Sequence, residues 1–182
     1  MACKIETGII NDCTDLLRVG GISKTFWIGY LSELSAQFDL SQAGDISTIS
    51  FGPYGGLRRF EGNKFSHSFG SELVVSAGGN KSYKQTFAFK ILTNSTEDDL
   101  TLENLNLGND IFVVVQDNNQ KFYIIGAGNG LSVVTDVQNS GATGDSDAAD
   151  TVTLEGQELT KPLRLLDTNY QVTLDFLVAS EI

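Results

Sequence analysis

Two neighbouring apolar runs near the middle of the chain constrain the fold more than any other feature. Residues 110–116 read Asp-Ile-Phe-Val-Val-Val-Gln and residues 121–125 read Lys-Phe-Tyr-Ile-Ile, with Asp-Asn-Asn-Gln between them. Short runs of β-branched and aromatic residues bounded by turn-forming polar residues are typical of paired strands. We therefore predict a β-hairpin at this place.

Similar runs recur along the chain, separated by glycine-rich and polar turns. In residues 82–92 the odd-numbered positions from Tyr83 to Ile91 are mostly large and apolar, whereas the even-numbered ones include Lys84 and Lys90. This alternation directs one set toward a core and the other toward water. We predict seven to nine strands, drawn from residues 24–31, 46–51, 66–76, 82–92, 110–116, 121–125, 131–136, 151–158 and 169–179.

Residues 96–107 carry the one persuasive helical pattern. Ser95 or Thr96 can cap the first amides, the carboxylates at 97–99 suit the positive end of the helix dipole, and Gly108 can end the helix. The predicted fold class is mainly β, with two packed antiparallel sheets (a sandwich or barrel) and one flanking α-helix. We expect a single domain spanning residues 1–182, with an irregular leader at about residues 1–23.

The charge balance argues against a nucleic-acid-binding surface. The chain has 23 acidic and 12 basic residues, a formal net charge of −11 and a pI near 4.3, whereas nucleic-acid binders cluster Lys and Arg. The acidity serves either solubility or the repulsive lining of a channel through which DNA passes. No apolar run has membrane-spanning length and the start lacks a signal-peptide core, so we expect cytoplasmic synthesis and no membrane insertion.

Groups that perform chemistry are scarce. His67 is the one histidine, and its place between Phe65 and Phe69 favours a packed or surface residue over a catalytic base. Cys3 and Cys13 form no CxxC pair, and a reducing compartment favours free thiols over a disulfide. We expect no enzymatic activity, no metal and no cofactor.

Two loops superficially resemble ligand sites. The glycine-rich residues 126–130 are followed by a strand, whereas phosphate loops open a helix, so we interpret them as a hairpin connection. Asp145, Asp147 and Asp150 lack the glycine and bidentate glutamate of a calcium loop, so we interpret them as solvated loop acids.

The loop tip at residues 51–60 offers a candidate interface. It combines glycine and proline with Tyr54, Arg58 and Arg59, and tyrosine and arginine are the residue types that anchor interfaces. We predict that these three residues form a contact between subunits. The alternative is an ordinary loop with Phe51 and Phe60 in the core.

Several segments resemble tailed-bacteriophage virion proteins, and most of all their tail tube proteins. The resembling segments are Ala2-Cys3, Gly8, Asp12-Cys13 and Gly20-Gly21 at the start, and residues 113–117, 121–126, 129–131 and 151–158 in the second half. In the second half they resemble a hairpin, a loop with glycine and aspartate, and a threonine-rich strand ending in Gly-x-Glu.

The resemblance implies a subunit that assembles with copies of itself. It implies stacked hexameric rings that form a negatively lined conduit in the virion tail, contact other virion proteins and let DNA pass without specific binding. A head-tail connector, tail-terminator or capsid-associated virion protein is the alternative. A lectin-like binding module is a further alternative.

Overall fold

The computed structural model describes residues 20–38, 46, 49–63, 65–92, 95–140, 149–165 and 170–182. Within them the chain forms nine strands and two α-helices. The elements are β1 Ile22–Tyr30, β2 Arg58–Glu61, β3 Ser68–Val75, β4 Lys81–Ile91, α1 Thr96–Asn106, β5 Ile111–Asp117, β6 Phe122–Ile125, β7 Ser132–Asn139, β8 Ala149–Glu158, β9 Leu163–Leu165 and α2 Tyr170–Ala179.

The strands form two antiparallel sheets, as predicted. One has the order β2-β1-β5-β6-β9 and the other the order β3-β4-β8-β7. The predicted hairpin is confirmed, since β5 and β6 pair with Val113 opposite Ile125. Strands β3 and β4 form the second predicted hairpin, with Phe69 opposite Phe87. Neither sheet closes into a barrel, so the sandwich is the correct form of the predicted fold class.

The five-stranded sheet is buried on both faces. On one face Phe26 meets Phe87 and Phe89 of the other sheet, with ring centroids 5.1 and 4.9 Å away. On the other face Phe112 and Leu177 belong to a second core cluster that includes α2. Burial on both faces explains why β5 is apolar throughout instead of alternating.

The predicted helix is confirmed as α1. The Ser95 side chain accepts a hydrogen bond from the Asp98 amide (3.2 Å), and the Asp98 carboxylate accepts one from the Ser95 amide (3.1 Å). This reciprocal capping satisfies two amides at the helix start. Leu102 and Leu105, three residues apart, pack into the core between the sheets.

Two expectations about the secondary structure are wrong. Residues 169–179 are not a strand, because α2 occupies Tyr170–Ala179 and buries Leu177 against the five-stranded sheet. Residues 46–51 contribute only isolated bridges at Ile46 and Phe51, with 47–48 outside the described residues. The leader predicted at about residues 1–23 falls mostly outside the described residues, which begin at Gly20, and β1 begins at Ile22.

Candidate functional site

The predicted interface residues lie together around the start of β2, but they make different contacts. Tyr54 is 93% exposed at the loop tip. Arg58 donates hydrogen bonds to both carboxylate oxygens of Glu33 (2.8 and 2.7 Å), and its guanidinium lies 5.0 Å from the centre of the Tyr30 ring. The hydrogen bond from Arg58 holds the pKa of the Glu33 carboxyl below its usual value. Arg58 therefore ties the loop to its own chain.

Arg59 differs from its neighbour. Its side chain is half exposed and comes within 4.0 Å of Glu61, whose carboxylate is already paired with Lys24. Phe51 packs near Phe112 with a ring separation of 6.5 Å, so the loop is anchored in the core while its tip faces solvent. The subunit contact stays a prediction for Tyr54, Arg58 and Arg59. The sequence could not reveal the Arg58–Glu33 pair, because the two residues are 25 positions apart.

The four-stranded sheet presents one face away from the core. Alternation along β4 and β8 buries Phe87, Phe89, Val152 and Leu154 and turns their neighbours outward. The outward positions are mostly small or hydroxyl-bearing: Ser68, Gly70, Ser82, Thr86, Ala88, Thr135, Thr151 and Thr153. The charged ones are two carboxylates and two lysines, namely Glu72, Lys84, Lys90 and Glu155.

This outer face is therefore polar and balanced in charge across the four strands. Lys84 and Glu155 form an ion pair of 2.8 Å on adjacent strands, and Glu72 stands opposite Lys84 in the register of β3 and β4. The face is rich in hydroxyl side chains and also carries Val74 and Val137.

Both edge strands of the four-stranded sheet are long, and no further strand within the described residues pairs with either of them. Strands β3 and β7 each have eight residues and lie at the two ends of the strand order. Most of their side chains are exposed, including Leu73, Val75, Val134 and Val137. Exposed edges of this length are templates for pairing with another strand.

The glycine-rich residues 126–130 are not a hairpin connection, because they join β6 of one sheet to β7 of the other. Their amides converge on the Glu158 carboxylate, with donors at Gly128 (3.1 Å), Asn129 (2.9 Å) and Gly130 (3.1 Å). Glu158 is 2% exposed, and burial raises its pKa despite the opposing effect of these hydrogen bonds. The loop amides therefore bind a carboxyl group, and that group is supplied by the chain itself.

A second buried polar residue supports the same connection. Gln85 accepts a hydrogen bond from the Gly126 amide (2.9 Å) and donates one to the Thr160 carbonyl (2.8 Å). Gln85 and Glu158 together attach the inter-sheet connection to the inner face of the four-stranded sheet. Sequence reasoning missed this role, although two polar residues at inward positions of β4 and β8 were the available signal.

His67 is a packed residue, one of the two placements expected for it. It is 4% exposed, its ring centre lies 5.2 Å from that of Phe26, and its Nδ1 accepts a hydrogen bond from the Lys90 amide (3.3 Å). Burial lowers the pKa of the imidazole, which favours the neutral ring.

The expected loop acids divide into two groups. Asp150 is not a solvated loop acid, since it is buried at the start of β8. Asp145, Asp147, Cys3 and Cys13 lie outside the described residues. Within the described ranges, no group of three or more His, Cys, Asp or Glu side chains could hold a metal ion. No helix in the same part of the chain is long and apolar enough to cross a membrane.

Comparison with known proteins identifies no relative: no family, no curated protein and no solved structure matches the chain.

Proposed function

We propose that this chain is a bacteriophage virion structural protein, most like a tail tube subunit, that assembles into stacked rings through the edges of its four-stranded sheet. The observation that carries the proposal is the pair of eight-residue edge strands, β3 and β7, at opposite ends of one sheet, with no further strand paired to either in the part of the chain that the structure describes. A sheet with two such edges completes its hydrogen bonding when copies join edge to edge.

The strand directions favour this assembly. Neighbours in the order β3-β4-β8-β7 are all antiparallel, so the two edge strands run in opposite directions. When β7 of one copy lies beside β3 of the next in a ring, that new pair is also antiparallel. Repetition around a ring would close the sheets into one barrel without edges. The segments that resemble tail tube proteins suggest six copies.

The wall of such a conduit would be the outer face of the four-stranded sheet. Its four strands bring two carboxylates and two lysines, so we propose a neutral wall of hydroxyl and small side chains in place of the negative lining expected from the net charge. Part of the acidic excess lies elsewhere, including the first turn of α1. A wall without excess positive charge offers DNA phosphates no binding site.

The same edges also suit a head-tail connector, which would stop at a single ring. The lectin-like alternative has less support, because Trp27 is 2% exposed and cannot stack on a sugar.

A proline in the edge strand β3 tests the proposal. Ser76 donates its amide hydrogen to the Asn80 carbonyl across the hairpin turn, so even-numbered residues of β3 bond to β4 and the Ser71 amide points to the free edge. We expect Ser71→Pro to keep the fold but block strand addition, because proline removes that donor. Ser71→Ala is the matched control.

The measurement is sedimentation of each variant over a range of concentrations, with negative-stain microscopy of the largest species. Wild type and Ser71→Ala should form rings or filaments, whereas Ser71→Pro should remain monomeric with an unchanged melting temperature. Isolated rings in place of filaments would indicate the connector. A wild-type chain that stays monomeric, or a Ser71→Pro chain that assembles normally, would contradict the edge-joining proposal.

A further inference from the structure

Edge strand β2 of the other sheet has backbone groups that no described residue pairs with. The Gly62 amide bonds to the Lys24 carbonyl, so in the antiparallel register the even-numbered residues of β2 face β1 and the odd-numbered ones face outward. The outward-pointing backbone groups of Leu57 are hydrogen-bonded within the chain. Its amide donates to the Ser180 carbonyl (2.8 Å), and its carbonyl accepts from the Ile182 amide (3.0 Å). The outward groups that follow belong to Arg59 and Glu61.

A cavity of about 380 Å³ lies beside this free stretch of backbone. It is bounded by β2, by one face of α1 and by the end of β4, where the two sheets and the helix meet. Its apolar lining includes Phe60, Ile91, Leu92 and Leu102, and Ile182 stands at the end where the chain's own pairing stops. The volume is in the range of cavities that bind ligands.

Most charged side chains around the cavity are paired with other groups of the same chain. Arg58 is paired with Glu33, Glu61 with Lys24, and the Asp98 carboxylate caps α1. Among the described residues, the one ion pair of Arg59 is its 4.0 Å approach to Glu61, and its side chain is half exposed. Arg59 is therefore the cation beside the cavity that is best placed to receive a carboxylate from outside.

We propose that the cavity between β2 and α1 binds an extended segment of a partner protein, which adds a strand to β2. The segment carries an acidic residue between two apolar residues. The juxtaposition of free strand edge, apolar cavity and available arginine carries this assignment. Strand addition supplies main-chain hydrogen bonds, and pockets for alternate side chains supply specificity.

The order of the side chains follows from the geometry of β2. Phe60 points into the core between the sheets, where it stacks on Phe26 with ring centres 5.6 Å apart. Arg59, one position earlier, points to the opposite face. A strand beside β2 therefore places an apolar residue in the cavity and its immediate neighbour next to Arg59. The residue beside Arg59 should carry a carboxylate. The bound segment therefore alternates between apolar residues in the cavity and an acidic residue next to Arg59.

The probe is the acetylated and amidated peptide Thr-Val-Glu-Val-Thr, with Thr-Val-Lys-Val-Thr as the matched control. Binding is followed by amide chemical shifts of the labelled full chain. We expect shifts at Arg59 and Glu61 and along α1, with the glutamate peptide binding about fivefold more tightly than the lysine peptide, as a partly exposed ion pair would give. Arg59→Glu should reverse this preference.

A second variant tests the contribution of the cavity independently of the charge of Arg59. Thr101 lines the cavity from the exposed side of α1. Thr101→Phe should therefore fill the cavity and weaken binding of the glutamate peptide by more than about tenfold, with little change in the melting temperature of the protein. Equal binding of the two peptides, no binding at millimolar concentration, or shifts confined to β3 and β7 would overturn the proposal. Protection of the Arg59 and Glu61 amides on concentrating the chain alone would also overturn it, because the occupant would then be a second copy.

Discussion

Arg58 and Arg59 are adjacent in the chain but point to opposite faces of β2. Arg58 forms a bidentate pair with Glu33 and lies over Tyr30, whereas the ion pair of Arg59 within the described ranges is a long contact with Glu61. A bidentate arginine–carboxylate pair fixes geometry better than a single contact does. The two arginines should therefore have separable effects on the stability of the monomer.

We expect Arg58→Ala to lower the free energy of unfolding by about 1–2 kcal/mol, because Glu33 loses its partner while remaining partly buried. Arg59→Ala should change it by less than about 0.5 kcal/mol, as exposed substitutions usually do. Urea denaturation of both variants at low protein concentration measures the difference. Equal losses would show that the Arg58–Glu33 pair contributes no more than a surface contact.

Among the secondary-structure elements, the connection from β6 to β7 lies close against the backbone of β8. Strand β8 passes the 126–130 connection at Gly156, where an added Cβ would overlap the Gly130 carbonyl oxygen and lie 2.9 Å from the Leu131 side chain. Gly70 in β3 offers the opposite case, because nothing lies within 4 Å of its added Cβ. Two strand glycines thus differ entirely in their surroundings.

Gly156→Ala should destabilise the fold by about 1–3 kcal/mol, the usual cost of forcing atoms into a packed site. Gly70→Ala should be neutral or slightly stabilising, since alanine is preferred to glycine inside a strand by roughly 0.5–1 kcal/mol. Thermal and urea unfolding of the two variants test this contrast. A tolerated Gly156→Ala would mean that the connection moves aside without cost.

The same elements show what the sequence can and cannot predict. Alternation identified β4 and capping residues identified α1, because both signals are local. Helix α2 was mistaken for a strand because Val172, Thr173 and Phe176 are residue types that also suit strands, and its burial against a distant sheet decided the outcome. The sequence marks Glu158 as a polar residue at an inward position of β8 but does not identify its three donors, which lie 28–30 residues away.

For the whole molecule, the net charge of −11 opposes association of identical copies. Edge pairing has to overcome this repulsion, which extends over roughly 30 Å at 0.01 M salt but only about 10 Å at 0.1 M. The salt concentration should therefore control how readily copies join.

We expect self-association of the wild-type chain to strengthen when sodium chloride is raised from about 0.01 M to about 0.1 M, because screening shortens the range of the repulsion. Light scattering at fixed protein concentration measures the change, and Ser71→Pro should scatter as a monomer at both concentrations. Weaker association at the higher salt would point instead to attraction between opposite charges at the contact.

The strand count of the exposed sheet has a consequence for how many copies can close a ring. Because each copy would contribute four alternating strands, every junction repeats the same antiparallel pattern whatever the number of copies. The antiparallel hydrogen-bonding pattern is therefore compatible with five, six or seven subunits. The bend at each junction sets the circumference, so bulkier side chains beside β3 and β7 would be expected to change the diameter of the ring while preserving its continuous sheet.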